Sequence, residues 1–166
     1  ILDDARAAEK PKPKGTQLQL GKNARANLEQ GIIGLGKLVD VCKRRTAKFG
    51  YVKGLDGRKV LSKSKHSALN TLLQSAGALV MKYALSIFHY ELAVEKGWVC
   101  PETYHTKSFS YLANVHDEVQ MSAPESIAQE VGDTFARAIT LAGERLKLNV
   151  RLDGEAMVGN NWRETN

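Results

Sequence analysis

The sequence predicts an α+β fold, in which helices and short antiparallel hairpins follow one another without the strict alternation of βαβ units. Three observations carry that expectation. Apolar residues recur at helical spacing over three stretches, about 22–48, 64–97 and 124–146. Two further segments, 51–61 and 109–121, read as β-hairpins. The chain has 166 residues, 43% of them hydrophobic and 25% charged, which fits one globular domain and excludes disorder over the whole length.

The elements are justified in order. Lys10-Pro11-Lys12-Pro13-Lys14 favours solvated, extended backbone, so 1–20 are expected to be a tail or linker and 21–166 the structural unit. Leu28, Ile32, Leu35, Leu38, Val39 and Cys42 then predict a helix over 22–48 that stops at Gly50. Glycines at 31, 34 and 36 imply close packing or a break; they have neither GxGxxG spacing nor a GK[ST] ending, so no phosphate loop is read there. Tyr51-Val52-Lys53 and Lys59-Val60-Leu61 flank Gly54-Leu55-Asp56-Gly57, the pattern of a glycine-turned hairpin. Ser62 or Ser64 can cap the next helix, which carries Leu69, Leu72, Leu79, Val80 and Ile87, bends or breaks at Gly77, and ends near Gly97. Phe109, Tyr111, Ala113 and Val115 alternate onto one expected face before the acidic tip His116-Asp117-Glu118, and Pro124 opens an amphipathic helix through Leu146. A closing strand is expected around Val150 and Leu152.

The formal net charge is +6, but 43–65 alone carries nine basic residues against Asp56, leaving −2 for the remainder. That concentration is the footprint of a polyanion partner, nucleic acid above all; a solvated basic run is the competing reading. The longest apolar stretches are broken by Lys82 and His89, so no membrane span is expected. Cys42 and Cys100 stand far apart, which suggests no disulfide framework or zinc site and makes a reducing, cytoplasmic setting the default.

Two constellations could carry chemistry. His66, Asn70 and Gln74 fall at i, i+4 and i+8, on one expected helix face, where amide and imidazole donors could grip the N3 and O2 acceptors of any duplex minor groove. The alternative is an ordinary polar stripe. Val115-His116-Asp117-Glu118-Val119 pins two adjacent carboxylates between apolar strand residues, a placement suited to Mg²⁺, although an acidic turn would look the same. His66, His89, His105 and His116 are too scattered for a metal site, and His89 is expected on a helix surface. Trp98 and Trp162 read as packing anchors. Arg44, Arg45 and Lys48 lie so close to Phe49 that a shared helix face is not expected.

Taken together, four segments resemble the C-terminal part of family A DNA polymerases, the DNA polymerase I superfamily, and most closely its bacteriophage branch. Gly50-Tyr-Val-Lys-Gly-Leu-Asp-Gly-Arg-Lys-Val60 looks like the hairpin after the fingers. His66-Ser-Ala-Leu-Asn-Thr-Leu-Leu-Gln-Ser-Ala-Gly-Ala78 is similar to the helix that tracks the primer-template minor groove. Val115-His-Asp-Glu-Val-Gln120 is similar to the third catalytic motif, and Gly154-Glu-Ala-Met-Val-Gly-Asn-Asn-Trp162 to the terminal signature. The resemblance covers about 48–166, in family order.

It implies a small palm sheet whose catalytic hairpin presents Asp117, beside long helices of fingers and palm. Asp117 would be a ligand of the catalytic Mg²⁺ ions, Glu118 its acidic neighbour, and His116 a contact near the primer terminus. Asn70, Gln74 and His66 would lie along the minor groove, with Arg58 and Lys59 as further DNA contacts on the hairpin. Single-subunit phage RNA polymerases share the His-Asp pair but usually follow it with serine, so Glu118 favours DNA synthesis. The first catalytic motif, with the other metal-binding aspartate, and the nucleotide-gripping fingers helix have no counterpart here. The resemblance therefore implies a split or cleaved polymerase acting in the host cytoplasm, whose partners are primer-template DNA, dNTP and a larger N-terminal polypeptide; a non-catalytic DNA-binding remnant is the alternative.

Overall fold

A computed structural model describes residues 16–165. Residues 1–15 of the expected tail lie outside the described residues. Thr16 caps helix α1, Gln17–Gly31, accepting the Gln19 N–H on Oγ1 at 3.3 Å, so the helix begins earlier than position 22. The expected single helix is two. Gly34, at φ 86, turns the chain into α2, Leu35–Phe49, a conformation open to glycine without a Cβ clash. Gly50, at φ 75, closes α2 with a bond from its N–H to the Thr46 carbonyl at 2.9 Å. None of the residues of α1 is buried, whereas α2 buries Val39, Cys42 and Thr46.

Strands β1, Tyr51–Lys53, and β2, Lys59–Leu61, pair antiparallel as the expected hairpin, with Val52 opposite Val60. Val52 packs with Cys42 of α2 and Ala68 of the following helix in a small cluster, which seats the basic hairpin on both helices. Ser64 Oγ accepts the Ser67 N–H at 3.2 Å and so caps the turn that leads into α3, Ala68–Ile87, whose first turn starts later than the serines suggested.

Gly77 does not break α3, which runs on to Ile87. The irregularity lies further on, in a π-helical turn over Phe88–Leu92, where the Ala93 N–H reaches the Phe88 carbonyl five residues back. The short α4, Ala93–Glu95, follows, and Gly97 at φ 73 ends the run as expected. By length and composition Ala68–Glu95 is apolar enough to cross a membrane, with mean hydropathy 1.3 over its best window, which the interruptions at Lys82 and His89 had argued against. One face of it joins the core, and 28% of that window is buried. Met81, Ala84, Ile87 and Phe88 are buried against α5, Glu125–Arg145, which contributes Val131, Phe135, Ala138 and Ala142. Phe88, fully buried, stands edge-on to Phe109 at 5.2 Å and to Phe135 at 5.4 Å between ring centroids, and burial of one such side chain contributes about 1.5–3 kcal/mol.

Strands β3, Ser110–Val115, and β4, Glu118–Ser122, form a separate two-stranded sheet, so the described residues hold two hairpins and no larger sheet. No strand forms at Val150 and Leu152. The segment there is irregular and strapped across α5: Thr140 Oγ1 donates to the Leu152 carbonyl at 3.0 Å, and Gly132, Gly143 and Gly154 leave room for the close approach. Trp98 is buried in the core, as expected of an anchor, but Trp162 is exposed in a terminal 3₁₀ turn.

Candidate functional site

His116 and Asp117 alone make the turn between β3 and β4, since Val115 already pairs with Glu118. A turn that short needs left-handed backbone at its first residue to match strand twist, and His116 supplies it at φ 55. Asp117 is consequently exposed at the hairpin's extreme tip, and among the described residues its carboxylate has neither an ion pair nor a side-chain hydrogen bond. Glu118 is half-buried at the first position of β4, and its carboxylate accepts a hydrogen bond from the Gln120 amide.

The expected alternation of β3 fails at one residue. Tyr111 pairs with Met121 but Ala113 pairs with Gln120, which leaves Leu112 as the extra residue of a β-bulge. Paired residues share a face, so the bulge moves Ala113 and Val115 to the side of Gln120 and Glu118, away from Val119 and Met121, which pack on the core. The four residues expected on one face are split, two and two.

Asn70 and Gln74 are both exposed on α3, and Leu73 and Gly77 are exposed beside them, with nothing within 4 Å of where a Gly77 Cβ would stand. That strip lies opposite Ala68 and Leu72, which pack on the basic hairpin. His66 is not on this helix: it stands in the turn ahead of Ala68, so its spacing to Asn70 does not align it with the strip. Arg58 and Lys59 lie on the other hairpin, β1–β2. Arg58 is ion-paired with Asp56, whose carboxyl, despite the desolvation that would raise it, is held below its ordinary range by the Arg58 backbone and guanidinium. Lys59 lies 5.3 Å from the Tyr51 ring centre and has no carboxylate partner among the described residues.

The structure thus brings His116, Asp117 and Glu118 together, sets Asn70 and Gln74 on one strip, and keeps Arg58 and Lys59 apart from both. Among the described residues no group of three or more His, Cys, Asp or Glu side chains could hold a metal ion. Asp117 nevertheless fits a hard cation by its chemistry, a carboxylate on a two-residue turn that is unpaired among the described residues, and Mg²⁺ is often held by one or two carboxylates with the rest of its shell from elsewhere. Two arrangements escaped sequence reasoning. Arg45 does share a face with Phe49, four residues on, and lies 5.7 Å over that ring and 5.1 Å over Tyr51; its i, i+4 spacing was the available signal. His89 is half-buried, not a free surface histidine, with ring nitrogens 3.3 Å from the Tyr111 hydroxyl and 3.0 Å from the Tyr104 carbonyl.

Residues 36–164, which include both hairpins, α3 and α5, match the family described as DNA polymerase family A. The chain belongs to that family. Among similar proteins of the family, the DNA-directed DNA polymerase of Enterobacteria phage T3 is 43% identical over 119 residues, 69% of this chain, and that of Escherichia phage T7 is 44% identical over 117 residues, 68% of this chain. The DNA-directed DNA polymerase of Escherichia phage Phieco32 is 31% identical over 135 residues, 77% of this chain. The chain spans only 16% of the T3 and T7 proteins and 20% of the Phieco32 protein. The expected phage-type family A resemblance is therefore borne out, at the scale of a segment.

Proposed function

We propose that this family A segment is the C-terminal fingers and palm portion of a DNA-directed DNA polymerase, working with a longer N-terminal polymerase polypeptide that supplies the remaining catalytic groups. The observation that carries this is Asp117, a carboxylate unpaired among the described residues at the tip of a two-residue turn, inside the matched segment. In this reading Asp117 holds Mg²⁺ with carboxylates of the larger polypeptide, and Glu118, tethered by Gln120, adds negative potential without leaving its strand. Bound there, Mg²⁺ would stabilise charge on the attacking and leaving oxygens of nucleotidyl transfer. His116 lies next to the primer terminus. Asn70 and Gln74 contact minor-groove acceptors that every base pair presents, which gives grip without sequence preference. Arg58, Lys59 and His66 are placed along the DNA backbone, where neutralised phosphates release counterions.

The test is primer extension by the assembled polymerase with Mg²⁺ and dNTP. Asp117→Ala is expected to abolish synthesis while leaving primer-template affinity within about twofold, because a metal ligand acts chiefly in the transition state. Unchanged synthesis would sink the assignment. The second reading, a DNA-binding remnant, draws on the lack of a three-ligand cluster among the described residues. It predicts DNA binding that depends on Gln74 but no synthesis with any partner polypeptide.

A further inference from the structure

The bulge at Leu112 follows from two fixed points. At the tip, the two-residue turn sets Val115 opposite Glu118; at the root, Tyr111 is set opposite Met121. Between these points β3 has one residue more than β4, so Leu112 is pushed out of the pairing and left 67% exposed. A competing arrangement exists in the same sequence. If β3 slid by one residue at its root, Leu112 would face Met121, alternation would be regular, and an exposed leucine would gain burial. Something must hold Tyr111 in the place Leu112 would take.

The π-helical turn supplies that hold. It carries Phe88, whose ring stands edge-on to Tyr111 at 6.3 Å, and His89, whose Nδ1 lies 3.3 Å from the Tyr111 hydroxyl. The Tyr104 carbonyl can only accept, so Nε2, 3.0 Å away, donates to it, and in the tautomer that this contact favours Nδ1 is free to accept from the Tyr111 hydroxyl. Burial, with Tyr90 close by, pushes the Tyr111 phenol above its ordinary value, which keeps it a donor. Phe109 packs on Tyr111 at 5.1 Å and closes the aromatic seat. π-Turns are rare inside helices and occur frequently at functional sites.

We propose that His89 is a positioning residue: by holding Tyr111 it keeps the bulge at Leu112 and so sets the direction in which the hairpin presents Asp117. The catalytic part of this statement rests on the polymerase reading, whereas the register part does not. The experiment therefore has two readouts. In the full chain, nuclear Overhauser contacts of Met121 report the register directly. The wild type is expected to show Tyr111 opposite Met121, and His89→Ala to show a second population with Leu112 opposite Met121. His89→Gln, which can both donate and accept, should restore the first state, and Leu112→Thr should suppress the second in the His89→Ala background. Tyr111→Phe, which removes one hydroxyl, repeats the test with little risk to folding.

In the assembled polymerase, His89→Ala is expected to lower kcat for single-nucleotide addition by about tenfold with KM for dNTP within about twofold, since misaim of a transition-state group leaves ground-state binding intact. A Met121 that stays opposite Tyr111 alone in the His89→Ala, Tyr111→Phe double variant would overturn the inference. So would an unchanged kcat in a variant whose register has slipped. A wild-type assembly that makes no DNA would refute the polymerase reading, while the Met121 contacts would still decide the role of His89.

Discussion

Replacing Gly132 by alanine isolates the strap across α5. An added Cβ would stand 2.6 Å from the Ala156 Cβ. Carbon atoms pack best at about 3.5–4.0 Å, so the two must part by about 1 Å. Ala156 has no rotamer with which to yield, and the strap's backbone must lift instead. That movement works against the Leu152 contacts with Gly143 and the 3.0 Å bond from Thr140 to the Leu152 carbonyl. Overpacking of this kind costs about 1–3 kcal/mol, while alanine in place of a helical glycine returns about 0.5–1 kcal/mol. The net expectation is no gain and a loss of up to about 2.5 kcal/mol, or up to about 10 °C in Tm for a chain of this size. Gly77→Ala is the internal control. It makes the same chemical change in α3 with nothing within 4 Å, and should raise stability by about 0.5–1 kcal/mol. Urea unfolding of both variants checks the pair. A Gly132→Ala chain stabilised as much as the Gly77→Ala control would refute the close approach of strap and helix.

Other expectations follow from the same geometry. Gly77→Ala, though stabilising, should weaken primer-template binding, because the new methyl projects from the strip that carries Asn70 and Gln74; fluorescence anisotropy with labelled duplex measures this. Lys59→Gln should flatten the log Kd against log salt plot by about 0.9, and Arg58→Gln by less, since Asp56 already neutralises Arg58. Phe88→Ala should cost about 3–5 kcal/mol by urea unfolding, as this side chain is fully buried among Phe109, Tyr111 and Phe135. The raised Tyr111 phenol has a definite sign in pH. Above the ordinary value of 10.0 the unfolded chain releases this proton while the folded chain keeps it, so the contribution is complete below pH 10.0 and lost as pH rises beyond it. Tyr111→Phe should therefore soften alkaline unfolding, followed by circular dichroism.

The helices and hairpins were legible because their signals are local. Gly50 and Gly97 end helices where the sequence placed glycine, and β1–β2 forms the hairpin that its turn residues imply. What stayed hidden depends on contacts distant in the chain. The bulge at Leu112 is invisible to a period-two pattern, because Phe109, Tyr111, Ala113 and Val115 alternate correctly as text and only the pairing with β4 breaks them apart. His89 looked like a surface residue because its partners lie 15 and 22 positions away. Arg45 beside Phe49 was legible in principle from i, i+4 spacing. The strap at Leu152 carries strand-like residues but meets a helix instead of a sheet edge, and only the glycines of α5 hinted at so close a neighbour. At the candidate site, the triplet at 116–118 and the strip of Asn70 and Gln74 were readable; the misplacement of His66 came from a helix that starts at Ala68.

The absence of buried residues from α1 has a consequence for time as well as for shape. A lone helix of 15 residues is marginal in water, and this one has no core of its own to draw on. Its amide protons should therefore exchange with solvent through local opening, orders of magnitude faster than those of α3 and α5, whose release requires the core around Phe88 to come apart. Exchange rates along the chain would fall in a step at the Gly34 break. Protection of α1 that appeared only in the assembled polymerase would turn this helix into a clock for docking, read without any substrate.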